Sequence, residues 1–327
     1  LFIESTYGDR NHKNEEATFD ELAEAIAYSY NNRDKVIIPA FAVGRTQEIL
    51  YCLYLLRQRG NLPEDMPIFV DSPLAIRATE VFKTFKDYLD TPEVKLTNNM
   101  AKLLPNVKFT LDAAESQALN DMKGPAIIIS ASGMCNAGRI QHHLRHNAWR
   151  PTASIVFVGY QGVGTPGRRI VDGASSIRLF NEDIAIKAKV FTIGGFSAHA
   201  GQSQILDWIR KMPHSSMQVV LVHGEEKAQQ TLSGLIKEEF KLPVSIPGYM
   251  EEMELVPGAV PEVVVTAKAQ SYAHVDWELL LEETESKMAK LRARLENAQS
   301  RPWDEQVDIR DRVLDLNKEL LSVLTQL

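Results

Sequence analysis

Three side chains in this 327-residue sequence have the types and settings of a proton-transfer or metal site: Glu4, His199 and His223. A histidine held by a carboxylate is a good proton donor, because the anion stabilises the imidazolium. A histidine at a strand end is also a common metal ligand through one neutral nitrogen. Both chemistries stay open for each imidazole, and the plain alternative is a pair of hydrogen-bonded loop histidines. The surroundings favour function. His199 lies in Gly194-Gly195-Phe196-Ser197-Ala198-His199-Ala200-Gly201. There the glycines let backbone approach a ligand, and the N–H groups of the next helix can meet an anion. His223 lies in Val222-His223-Gly224-Glu225.

A second set suits phosphate. Ser130-Ala131-Ser132-Gly133 offers hydroxyls and N–H groups just ahead of Gly138-Arg139, and Arg45 follows Gly44 in a similar setting. For both, an ordinary strand–helix turn is the alternative. Asp71-Ser72-Pro73 has instead the form of a helix cap with proline at the first turn. Two histidines and a glutamate do not make a dinuclear metal site. None of the eight histidines falls in an H-x-H-x-D-H or H-E-x-x-H cluster. His142 and His146, beside His143, would share a helix face as a zinc pair could, or form a polar face near a nucleic-acid groove.

The elements that must carry these residues alternate. Short β-branched runs at 35–38, 67–70, 126–129, 154–158, 185–193 and 217–222 predict strands, and helical patterns separate most of them. The first helix, 18–30, repeats Leu22, Ile26 and Tyr30 on one face. The helix after His199 sets Ile205, Trp208 and Ile209 on one face. Alternation of this kind implies a parallel sheet, with ligands beyond the C-terminal strand ends. The strands ending at His199 and His223 read as members of one sheet, with Leu1-Phe2-Ile3 bringing Glu4 to the same edge. Residues 90–122 are less regular. The Gly- and Arg-rich run 159–173 reads as a flexible crossing. Residues 263–266 predict one more strand. Helical stripes at 275–298 and beyond Pro302 predict an αα-hairpin that packs on the body or on a second copy.

Composition excludes several classes. The chain is 44% hydrophobic and 24% charged, with net charge −7, which leaves room for a local basic cleft but not a basic coat. Two cysteines, Cys52 and Cys135, exclude a disulfide scaffold or a cysteine zinc knuckle and fit a reducing cytoplasm. No apolar run reaches membrane-span length, and no signal peptide is visible. The chain opens on Leu1 inside a strand, so it is expected to be the C-terminal part of a longer protein.

Glu4-Ser5-Thr6-Tyr7-Gly8, Phe196-Ser197-Ala198-His199 and Val222-His223-Gly224-Glu225 resemble, in this order, motifs A, B and C of the β-CASP family. These are metallo-β-lactamase-fold nucleases that include ribonuclease J and the endonuclease of the 3′-end cleavage and polyadenylation machinery. Pro39-Ala40-Phe41-Ala42-Val43-Gly44-Arg45 and Ala131-Ser132-Gly133-Met134 are also similar to family stretches. The resemblance covers about residues 1–255 and is closer to the RNA enzymes than to the DNA-repair branch.

That resemblance implies an α/β fold in which a β-CASP parallel-sheet domain, 9–183, is inserted in a metallo-β-lactamase αβ/βα domain. Residues 1–8 would close the first part of that domain and 184–255 would complete it. Residues 256–327 would be an extension ending in the helical hairpin. It implies a zinc-dependent RNA phosphodiester hydrolase with two zinc ions in the cleft between the domains. His223 would be a ligand to one zinc. His199 would be the general acid, oriented by Glu4, and Ser197 would face the scissile phosphate. The family's H-x-H-x-D-H motif, a further histidine and a bridging aspartate are absent from these 327 residues. The ligand set is therefore incomplete, and this portion alone is expected to be inactive. Two alternatives are a non-catalytic RNA-binding partner and a metallo-hydrolase of small esters. Partners implied are RNA, no membrane, and a homodimer through the C-terminal helices.

Overall fold

The strands form where the sequence is apolar on both faces. Lys35-Val36-Ile37-Ile38-Pro39, Ala126-Ile127-Ile128-Ile129-Ser130 and Ser154-Ile155-Val156-Phe157 are buried at every position, as parallel strands covered by helices on each side must be. The computed structural model describes residues 1–11, 15–85, 88, 100–212, 217–248, 251–254, 262–264, 277–296, 298, 301, 306, 309–310, 313 and 316–317. In chain order the elements are β1 (Phe2–Glu4), α1 (Glu15–Asn31), β2 (Lys35–Pro39), α2 (Arg45–Gln58), β3 (Ile68–Asp71), α3 (Pro73–Thr84), α4 (Met100–Leu103) and β4 (Val107–Phe109). Then come α5 (Ala113–Asp121), β5 (Ala126–Ser130), α6 (Ile140–Asn147), β6 (Ser154–Phe157), α7 (Pro166–Val171), β7 (Ser176–Leu179), β8 (Glu182–Ala185), β9 (Lys189–Thr192) and α8 (Gln202–Arg210). The chain goes on through β10 (Val219–Val222), α9 (Glu226–Phe240), β11 (Val244–Ser245), β12 (Glu252–Glu254), β13 (Glu262–Val264) and α10 (Trp277–Glu296).

The chain divides into two units. The larger comprises Glu4–Pro213 and His223–Phe240. Its frame is a six-stranded parallel sheet in the order β4-β3-β5-β2-β6-β9. Register is set by isoleucine and valine facing one another, Ile37 against Ile128 and Val70 against Ile129. One face packs Leu22, Ile26, Ile49 and Leu53 from α1 and α2. The other packs Ile140, Leu144 and Ile170 from α6 and α7. Ser72 caps α3 by accepting from Ala75 N, with Pro73 at the first turn, as its sequence predicts. The smaller unit comprises Leu1–Ile3, His214–Val222 and Lys241–Leu327. It holds the three-stranded sheet β1-β10-β11, the antiparallel pair β12-β13, and α10.

Several expectations are corrected. The run 185–193 is not one strand: β8 ends at Ala185 and β9 begins at Lys189. Between them Lys187 N and Ala188 N both donate to Ala148 O, which takes the backbone out of either ladder. β9 lies in the six-stranded sheet and β10 in the three-stranded one, so His199 and His223 follow strands of different sheets. The run 159–173 contains α7, because Thr165 accepts from Arg168 N and Pro166 starts the helix. The less regular stretch carries α4, β4 and α5 within its described part. Trp208 is 48% exposed although Ile205 and Ile209 beside it are buried. The last strand is β13, paired with β12, and position 266 lies outside the described residues. So does most of the second helix of the expected hairpin.

Candidate functional site

Within the larger unit, loops from several strands meet around a cavity of about 610 Å³. Pro39 to Glu48 follow β2, Gly133 and Met134 follow β5, and Val158 to Val163 follow β6. Thr6, Ser197, Ala198, His199 and His223 to Glu225 complete the wall. A parallel sheet puts its ligand beyond the carboxyl ends of its strands, where helices and loops begin. The sheet here obeys that rule at β2, β5 and β6.

Glu4, His199 and His223 come together as expected: one ligand-capable atom from each lies within 4.8 Å of the others. His199 Nδ1 lies 2.8 Å from Glu4 Oε2, and Ala200 N donates to Glu4 Oε1 at 2.9 Å. The ring is thus aimed by a carboxylate that is itself held at both oxygens. Burial pushes the Glu4 carboxyl up, but the Ala200 N–H, the Thr6 hydroxyl and the His199 ring outweigh it and hold the group below its ordinary value. Glu4 is therefore an anion at neutral pH, and the proton of the pair sits on His199 Nδ1. His199 N donates to Ser197 Oγ at 3.2 Å, which fixes the turn. The two imidazoles stack with centroids 5.0 Å apart.

Thr6 joins the two motifs. Its hydroxyl donates to His223 O at 3.0 Å and stands 3.0 Å from His223 Nδ1. The contact at Nδ1 orients the His223 ring and leaves Nε2 as the nitrogen that Thr6 does not engage. Nothing about Thr6 as a lone residue type announced this role; the signal was its place two residues past a motif glutamate. Gly224 is needed beside it. A Cβ there would run into Ser5 Oγ and come within 2.6 Å of Ser5 O. Gly224→Ala is expected to shift His223 off Thr6 and to cost about 1–3 kcal/mol, as overpacking does. Denaturant unfolding together with zinc titration checks this, and an alanine variant with unaltered stability and metal affinity would refute it.

Among the described residues, this trio is the only group of three or more histidine, cysteine, aspartate or glutamate side chains placed to hold a metal. As a zinc site it is partial. Zinc takes about four ligands, while both Glu4 oxygens and His199 Nδ1 are engaged with protein partners. The donor chemistry fits one zinc ligand, His223, with Thr6 as its outer partner.

The phosphate-binding expectation divides. Arg45, Gly133 and Ser197 line the cavity; Ser130, Ser132 and Arg139 do not. Ser130 is fully buried and its hydroxyl donates to Asp71 O at 2.8 Å. Ser132 donates to Asn136 Oδ1. Arg139 donates to Asp71 Oδ1 at 2.7 Å and to the carbonyls of Thr110 and Leu111. The same Asp71 carboxylate meets Ser116 Oγ and His143 Nε2, each at 2.6 Å. Burial pushes the Asp71 carboxyl up, but the bonds from His143, Ser116 and Arg139 hold it below its usual value. These side chains build the floor of the loop and are engaged with one another and with its backbone. The histidine group of α6 dissolves likewise. His143 is buried against Asp71 and Asn120, His142 stacks on Phe180, and His146 Nδ1 donates to His142 O.

Two groups that sequence reasoning had not singled out also face the cavity. Tyr160 donates to Glu225, and its ring meets Tyr7 edge-on at 5.9 Å. Phe41, Val43 and Val163 stay exposed on the same wall.

Residues 46–170 match the family model described as the Beta-Casp domain, and residues 183–247 match the Zn-dependent metallo-hydrolase RNA specificity domain. Similar curated proteins include Ribonuclease TTHA0252 of Thermus thermophilus, 39% identical over 72% of this chain and 54% of that protein. An RNase J-like protein of Methanocaldococcus jannaschii is 34% identical over 76% of this chain and 57% of its own length. Transcription termination factor FttA of Thermococcus kodakarensis is 32% identical over 78% of this chain and 40% of its own length. The chain thus spans about half the length of the curated relatives it matches.

Proposed function

The chain belongs to the β-CASP family of metallo-β-lactamase-fold nucleases, and from that premise we propose that the whole protein hydrolyses RNA phosphodiester bonds with zinc. The observation that carries the reading is His199, held from behind by Glu4, set against His223 at one cavity wall. His199, held through Nδ1, presents Nε2 to a leaving oxygen and gives it a proton. Glu4 stabilises the imidazolium from which that proton comes. His223 Nε2 would be one ligand of a zinc ion, and a bound zinc would supply positive charge to the phosphate and lower the pKa of its water. Two ions, as the resemblance implies, need ligands beyond those described. Ser197, Arg45 and the Gly133 N–H are the groups on the wall suited to phosphate oxygens. Phe41, Val43, Tyr160 and Val163 give bases an apolar surface, which single strands use without sequence preference. Metallo-β-lactamase segments at 1–8 and 184–255 around a β-CASP domain at 9–183 remain our division of the chain.

Leu281 and Met288 are exposed on α10 and support the reading of that helix as a contact for a second copy. Both cysteines are free and buried, which supports a reducing compartment such as the cytoplasm. Among the described residues, no helix is long and apolar enough to cross a membrane.

Zinc content and RNA cleavage of the whole protein test the reading, beside His223→Ala. The expected result is zinc-dependent cleavage, with zinc affinity reduced about tenfold or more in the variant. A protein that binds RNA without zinc, and does so equally well as His223→Ala, would replace the hydrolase with a non-catalytic RNA-binding partner.

A further inference from the structure

Beside the histidines, a carboxylate sits among groups that suit an oxyanion. Glu225 Oε1 accepts from the Tyr160 hydroxyl and from Arg168 Nη1, the latter at 3.2 Å. Arg168 is not held there by Glu225 alone. Its Nε donates to both oxygens of Asp172, at 2.8 and 2.9 Å, and its backbone N is anchored at the Thr165 cap of α7. Tyr160 is braced by the Tyr7 ring, and Arg10 lies over the other partner of that pair, 4.8 Å from the Tyr7 centroid. A phenol and a guanidinium therefore stay in place whether or not Glu225 is between them. Burial, and then the bond to Glu225, pushes the Tyr160 phenol up to about 12, so it remains a proton donor across the working range. Glu225 itself is the loose member. Its side chain is 39% exposed, and a partly exposed ion pair of this kind is weak.

A phosphodiester carries the same charge as this carboxylate and accepts the same two hydrogen bonds. Tyr160 and Glu225 line the same cavity as His199 and His223, and Arg168 stands behind that lining, reaching it through its bond to Glu225. We propose that Tyr160 and Arg168 form a phosphodiester subsite that Glu225 fills when no strand is bound, and that an incoming strand displaces the carboxylate. The proposal rests on the reading of the cavity as a strand-binding site. It makes Glu225 a gate. An anion enters only if its other contacts in the cavity repay the exchange, so a long strand is admitted more readily than a lone phosphate.

The test is binding of a 3′-labelled oligoribonucleotide with a 5′-hydroxyl, whose only phosphates are diesters, to the whole protein carrying His199→Ala so that the strand is not consumed. Glu225→Gln is expected to tighten binding about threefold to tenfold. That gain is expected to vanish when Tyr160→Phe and Arg168→Gln are also present. A gain of the same size in every background would mean a general effect of removing negative charge and would overturn the subsite. Weaker binding in Glu225→Gln would make Glu225 a strut and overturn it as well. If the protein without the Glu225 change binds no strand, the strand-binding reading has failed, and inorganic phosphate decides the subsite. Calorimetry should then show phosphate bound by Glu225→Gln and not by Glu225→Gln with Tyr160→Phe; equal binding by the two would overturn the proposal.

Discussion

His199→Ala is expected to slow RNA cleavage by the whole protein about 10²–10⁴-fold, the range spanned by positioned general acids, while zinc is retained. The geometry specifies more than a loss of rate. His199 Nδ1 is bound to Glu4 Oε2, so the transferable proton is the one on Nε2. A ribose oxygen leaves poorly without a proton, whereas p-nitrophenolate leaves readily. The same variant should therefore lose far less on bis-p-nitrophenyl phosphate than on RNA. Glu4→Gln should fall between the wild type and His199→Ala, because an amide can still orient the ring but no longer stabilises its charge. Equal losses on both substrates, or loss of zinc from His199→Ala, would assign His199 to the metal rather than to the leaving group.

Asp71→Ala is expected to cost about 3–5 kcal/mol of stability, the range for breaking a buried ion pair by removing one partner. Asp71 and His143 are both fully buried, and Arg139 closes over them. Without the carboxylate, the buried His143 imidazole and Ser116 hydroxyl and the partly buried Arg139 guanidinium lose their common partner. Urea unfolding measures the loss, and a change below about 1 kcal/mol would show that the cluster relaxes around water instead. The same group gives a pH dependence. Its folded pKa lies below the ordinary aspartate value, so its contribution is fully present above that ordinary value and disappears as the pH falls through the folded pKa. Wild-type stability should thus drop on strong acidification, and the Asp71→Ala protein should show a smaller drop over the same range.

What could be read from sequence follows the range of the interactions. Glu4, His199 and His223 were legible because each stands at or just after the carboxyl end of a strand, where α/β folds place polar groups. Which sheet each strand joins was not, since β9 pairs with β6 and β10 with β1 and β11, and the break at 186–188 depends on Ala148 O, far away in the chain. The buried strands were legible from their own composition. Arg139 and Ser130 had the types of a phosphate site, yet both are spent on Asp71, on a neighbouring strand, and no local pattern reports such a partner. Thr165 and Pro166 did carry a local signal for α7, hidden by the glycines around them.

The long separation inside the site has a consequence for the order of its making. Glu4 and His199 stand 195 positions apart, and Thr6 and His223 stand 217 apart. Domains generally fold as units while a chain is synthesised, and here Glu4 waits through the whole parallel sheet for its imidazole, and Thr6 waits longer. No growing chain that stops short of residue 223 contains the assembled trio. The ribosome therefore reads past the codon for residue 223 before the product can bring Glu4 and the two histidines together.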